Sequence, residues 1–229
     1  MSQEQKHSTD SFEQIEETLG RGEQFVEKNQ KIITMVALAI IVVIGGHFGF
    51  KKFITEPNNL EAEGQIFKAQ NYFALDSFEL ALNGDGNNLG FIDVIDSYGS
   101  TPSGNLANYY AGVCCLYLGQ NEEAINYLKN FSSDDLLMAN MAIANIGDAY
   151  MQLKNYKEAA SNYAKAVNSK ENTFSTPMFL QKQGLAEELS GNYTAAIAVY
   201  NKIKTEYPNS VEARDVEKYI ERAEIEARK

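Results

Sequence analysis

YYAGVCCLYLGQNEEAINYLKNF, residues 109–131, decides the fold because its pattern recurs. ANIGDAYMQLKNYKEAASNYAKA occupies residues 144–166, and LQKQGLAEELSGNYTAAIAVYNKI runs from Leu180 to Ile203. Gly112, Gly147 and Gly184 fall at equivalent sites, as do Ala124, Ala159 and Ala196, with spacings of 35 and 37 residues at both. Self-similarity at such a period means stacked supersecondary units, each too small to bury its apolar face alone. The small residues let the two backbones of a helical hairpin approach closely. Gly119-Gln120-Asn121, Lys154-Asn155-Tyr156 and Gly191-Asn192-Tyr193 mark the turn between the two helices of each unit.

These units resemble the tetratricopeptide repeat, with its Gly-bearing first helix, its Ala-bearing second helix and a terminal proline matched at Tyr207-Pro208-Asn209. Cys115 and Glu187 depart from the family's tyrosine, which Tyr150 keeps. The resemblance implies an all-α, tetratricopeptide-type helical-hairpin solenoid whose concave face is lined by first-helix residues. Its inward positions fall on Tyr109, Val113, Leu116 and Tyr117, then on Met141, Ala144, Asp148, Met151 and Gln152. In the third repeat they fall on Met178, Gln181, Leu185 and Glu188. Aromatic and methionine groups of this kind adapt to extended or helical protein segments. Family members that grip C-terminal carboxylates use Lys, Asn and Arg where this chain has Tyr109, Val113, Ala144 and Asp148, so that clamp is missing.

Residues 51–104 read as a degenerate repeat, with a first helix from about Leu60 to Leu82 and Tyr72, Phe78 and Ala81 near the expected places. The Asn- and Asp-rich stretch 83–88 is an expanded loop, and FIDVIDSY, residues 91–98, is the second helix. The loop does not match the EF-hand pattern, which needs a glutamate ligand further on. Residues 105–208 hold the three clear repeats, and 209–229 a capping helix. That helix is expected to start at Asn209 or Ser210 and to turn Val211, Val216, Tyr219, Ile220 and Ala223 inward, sealing the last apolar edge.

IITMVALAIIVVIGGHFGF, residues 32–50, contains no Asp, Glu, Lys or Arg. At helical rise it spans roughly 28 Å, close to the hydrocarbon thickness of a bilayer. Lys28, Lys31, Lys51 and Lys52 flank it and can reach the headgroups. It starts late, it is long, and no A-x-A-like site follows, so it reads as an uncleaved transmembrane helix. Lys and Arg are balanced across it, so charge leaves its orientation open. Residues 1–31 form a polar tail in which Ser11 could cap a short juxtamembrane helix carrying Phe12, Ile15, Leu19, Phe25 and Val26; a disordered tail fits equally.

The formal net charge is −11, and both sides of the apolar run are acidic. No basic stripe serves nucleic acid. His7 and His47 are the two histidines, so the repeats contain none, which removes His-dependent triads and mixed Cys/His metal sites from them. Cys114 and Cys115 are adjacent, unlike a disulfide framework or a metal pair, and read as small core residues. No catalytic, cofactor or metal site is expected; protein partners and the bilayer are.

The order of tail, anchor and repeats, with FVEKNQK at residues 25–31 running directly into the anchor, resembles bacterial inner-membrane proteins that accompany the Sec translocon. That resemblance implies a cytoplasmic tail, a periplasmic repeat domain, and translocon subunits, envelope chaperones or secreted clients as partners. A structural subunit of another envelope complex is the alternative.

Overall fold

The computed structural model describes residues 28–169 and 172–229, and the expected tail helix falls outside them. The chain divides into two units, Met1–Thr55 and Glu56–Lys229. In the first, α1 covers residues 28–50 and a π-helical turn, Lys51–Thr55, follows it. Among the described residues one helix is long and apolar enough to cross a membrane; its apolar window has mean hydropathy 2.3, with 0% of it buried. So large an exposed apolar surface needs a cover that is not water.

The second unit is helical throughout its described elements: α2 (Glu56–Ala74), α3 (Phe78–Asn83), α4 (Phe91–Tyr98), α5 (Pro102–Tyr117), α6 (Asn121–Asn130) and α7 (Leu136–Gln152). They continue in α8 (Tyr156–Ser169), α9 (Thr176–Leu189), α10 (Tyr193–Glu206), a 3-10 turn at Glu212–Arg214 and α11 (Val216–Ala227). Consecutive helices pack on one another, so the clear hairpins are α5/α6, α7/α8 and α9/α10.

Each hairpin closes on its glycine. A Cβ at Gly112 would lie 2.5 Å from Leu128 Cγ, at Gly147 2.7 Å from the Tyr163 ring, and at Gly184 2.3 Å from the Tyr200 ring. All three partners stand sixteen residues after their glycine, so one knob on the second helix sits on bare backbone of the first. Ala124, Ala159 and Ala196 are wholly buried beside these contacts.

The turns repeat as closely. Gln120 N–H donates to Cys115 O at 2.8 Å, Asn155 to Tyr150 O at 2.9 Å, and Asn192 to Glu187 O at 2.9 Å. With the N–H bonds of Gly119, Lys154 and Gly191 to the carbonyls three residues back, each is a Schellman ending. The left-handed position is Gly119 (φ 75°), Lys154 (φ 59°) and Gly191 (φ 81°). Lysine has a Cβ that this conformation crowds.

The same turn corrects the first repeat. The single helix expected over Leu60–Leu82 breaks after Ala74, because Asp76 is left-handed (φ 55°) and Ser77 N–H reaches Tyr72 O at 2.9 Å. Asp76 takes the place of Gly119, Ala69 that of Gly112, and Ala81 that of Ala124; the last two pairs are each 43 residues apart. Ala69 and Ala81 are both wholly buried. The expanded loop therefore lies inside the second helix, between α3 and α4, and not between the two helices of the hairpin. Asp85 fastens it: its carboxylate accepts the Tyr72 hydroxyl (2.6 Å), Asn88 Nδ2 (2.8 Å) and the backbone N–H groups of Asn88 (2.7 Å) and Asn87 (2.8 Å). These donors, Tyr72 foremost, hold its carboxyl well below the usual carboxylate range.

The cap also differs from expectation at its start. Ser210 Oγ accepts from Ala213 N–H at 3.1 Å and caps the 3-10 turn, so α11 begins only at Val216. Val216 and Ala223 are buried with Tyr219 and Ile220 beside them, whereas Val211 stays 68% exposed.

Three measurements follow from this packing. Gly184→Ala drives a methyl into the Tyr200 ring, and unfolding of the full chain in detergent is expected to show a loss of about 1–3 kcal/mol. Lys154→Gly relieves the left-handed lysine and should gain about 0.5–1 kcal/mol net of the extra unfolded-state freedom. Cys114 and Cys115 are buried, and burial pushes their thiols up to about 12 and about 11. Both thiols are neutral in the folded and unfolded chain at neutral pH, and stability should fall as pH rises from the ordinary thiol value towards these raised ones, because only the unfolded chain then gives up the protons. Both thiols should resist a disulfide reagent at neutral pH until the chain unfolds.

A candidate protein-binding face on the first helices

The first helix of each hairpin presents its free side to one surface. Val113, Leu116 and Tyr117 of α5, Asn145, Asp148 and Gln152 of α7, and Lys182 of α9 line one cavity of 350 Å³. Five of the expected inward residues are therefore together: Val113, Leu116, Tyr117, Asp148 and Gln152. Leu116 is buried in its floor, where its carbonyl accepts from Gln152 Nε2 at 3.3 Å. Tyr117 is exposed and stacks flat on Phe78, ring centroids 4.2 Å apart, giving the rim a rigid aromatic platform.

A second cavity, of 320 Å³, adjoins through Lys182 and is lined by Gln181, Leu185, Tyr200, Tyr219 and Arg222. Of the remaining expected residues Glu188 takes an ion pair with Arg222, and the others serve packing. Tyr109 leans on Phe131 and Tyr110, Ala144 is buried, and Met141, Met151 and Met178 pack against the core of the last repeats.

Two ion pairs govern the electrostatics of this surface. Lys182 Nζ contacts both Asp148 oxygens, at 2.8 and 2.7 Å, and the Tyr163 hydroxyl donates to Asp148 Oδ1 at 2.6 Å. Arg222 holds Glu188 through two bonds, Nε at 2.8 Å and Nη2 at 3.0 Å. The Tyr200 hydroxyl bonds into this second pair. Burial, reinforced by the adjacent carboxylate, pushes both tyrosine hydroxyls far above their ordinary value, so they act as neutral donors. The hairpin knobs Tyr163 and Tyr200 thus do two jobs: the ring fills the glycine notch and the hydroxyl anchors a carboxylate on the surface.

Lys182, Arg222 and Asn145 were not among the residues expected from sequence. A signal exists: Asp148 to Lys182 and Glu188 to Arg222 are both separations of 34 residues, near the repeat length. Each pair ties one first helix to the next helix in that series. Glu188 keeps only 9% side-chain exposure. Arg222→Ala strands it, and the half-exposed arginine limits the expected loss to about 1–2 kcal/mol in thermal unfolding. Replacing both partners by methionine should recover most of that loss, since no charge is then left unpaired.

Among the described residues no group of three or more His, Cys, Asp or Glu side chains could hold a metal ion. No curated protein matches the chain. Residues 115–176 and 147–211 each match the tetratricopeptide repeat family. Over residues 115–211 the chain is thus similar to tetratricopeptide-repeat proteins, and its second unit is an all-α solenoid of that type.

Proposed function

We propose that this chain is a membrane-anchored adaptor that binds segments of other proteins along the α5–α7–α9 face, and that it works in protein export at the inner membrane. The observation that carries the binding reading is the 350 Å³ cavity, which gathers an apolar floor, an aromatic rim and the amides of Asn145 and Gln152 on one side of the repeats. Amides of this kind can hold the backbone of an extended segment while the floor takes its side chains. The local charges are already satisfied by each other, which favours segments with uncharged, apolar side chains.

The export reading is supported by the exposed apolar helix before the repeats and by the order of tail, anchor and repeat domain. In it residues 1–31 are cytoplasmic, 32–50 span the bilayer and 51–229 are periplasmic. Translocon subunits, envelope chaperones or secreted clients are then the partners.

Purification of the full chain from membranes, beside a Val113→Lys variant of equal thermal stability, tests binding. The wild type should retain protein partners that the variant loses, because the lysine buries an unpaired charge in the floor. Equal recovery would count against the groove. A reporter fused after Lys229 should be active in the periplasm, and a cytoplasmic result would end the export reading. A stoichiometric complex without translocon components would move the protein to another envelope assembly.

A further inference from the structure

The repeat unit is sealed at one end only. At its C-terminal end α11 covers α10 and turns Glu217, Lys218, Glu221 and Glu224 to solvent. At its N-terminal end α2 packs on α3, α4 and α5 through Ala62, Ile66 and Ala69. The opposite side of α2 carries Leu60, 71% exposed, and Phe67, 58% exposed, with Leu75, 73% exposed, just past its end. Leu60 and Phe67 are seven residues apart and share a helix face. Gly64 lies between them, and a Cβ there would meet nothing within 4 Å, so the stripe has a notch that a neighbouring backbone could enter. In a solenoid this is the face on which one more helix would stack.

Charge says what kind of helix. Residues 56–135 carry twelve Asp and Glu against two lysines, Lys68 and Lys129, whereas residues 136–229 carry twelve of each sign. Among the described residues every ion pair lies between residues 148 and 229. The carboxylates of the first half instead have neutral partners, as Glu63 has Asn59 and Asp85 has Tyr72. Glu56, Glu61 and Glu63 flank the exposed stripe itself.

We propose that the outer face of α2 is a second docking surface, separate from the α5–α7–α9 groove, and that it takes a basic amphipathic helix from another polypeptide. The apolar stripe of that helix covers Leu60 and Phe67, and its Lys and Arg side chains meet first-half carboxylates that have neutral partners and no cation among the described residues. A second copy of this chain would bring two strongly acidic halves together, and an anionic lipid surface would meet the same repulsion.

The test uses the full chain in phosphatidylcholine nanodiscs and two labelled amphipathic peptides of equal length, one leucine/lysine and one leucine/glutamate. Fluorescence anisotropy should show binding of the lysine peptide above the signal from empty nanodiscs, weakening as salt is raised. The double variant Leu60→Ser/Phe67→Ser should lose about tenfold in affinity with an unchanged circular dichroism spectrum. Those side chains are exposed, so folding is not at stake. Glu56→Lys/Glu63→Lys should weaken binding independently. Equal binding of the glutamate peptide, no loss in the serine variant, or a signal fully matched by empty nanodiscs would overturn the proposal. So would a wild-type dimer that the serine variant abolishes. Val113→Lys separates the two surfaces: it strikes the groove and should leave the lysine peptide bound.

Discussion

The contact of a second-helix knob with a first-helix glycine sets the geometry of the repeat unit. Leu128, Tyr163 and Tyr200 each rest where a Cβ would otherwise be, at Gly112, Gly147 and Gly184. That approach fixes how far apart the helices of a hairpin lie and which face of the first helix stays free. The Schellman ending seven residues later then reverses the chain without slack, and helix-packing rules stack the next hairpin on the result. The groove follows from this: its lining residues are those of the first helices that the knob does not cover.

Side-chain chemistry then links one hairpin to the next. Tyr163 and Tyr200 carry the glycine contact on their rings and a carboxylate contact on their hydroxyls, and the carboxylates reach a cation in the next helix of the series. Partly buried pairs of this sort add little net stability over an apolar substitute, although removing one partner alone is costly. They also leave the groove with its own charges cancelled. Among the described residues the first half of the unit has no such pairs and carries a net negative charge, so the two halves meet partners on different electrostatic terms.

What the sequence revealed was whatever depends on backbone size and period. Gly112, Gly147 and Gly184 and the alanines opposite them are local patterns of small residues that the close hairpin contact explains. The inward residues Val113, Leu116, Tyr117, Asp148 and Gln152 could be placed from the repeat register and do share a cavity. Other features needed the third dimension. Asp76 in a left-handed turn is not announced by its residue type, so α2 and α3 read as one helix. The loop at 84–90 has turn chemistry but no mark of which helix it interrupts. Lys182 and Arg222 are ordinary charged residues on helices until a carboxylate 34 positions earlier is seen to face each of them. Val211 looked like the start of the cap stripe, and the Ser210-capped 3-10 turn points it outward.

The central claim is that one face of these repeats binds protein while the chain sits in a membrane. Photocrosslinking in intact membranes tests it directly, with the reactive side chain placed once at Gln152, on the groove, and once at Lys165, exposed on α8 and outside the groove lining. Discrete crosslinks to other polypeptides are expected from position 152 and none from 165. Equal crosslinking from both positions, or none from either, would contradict it.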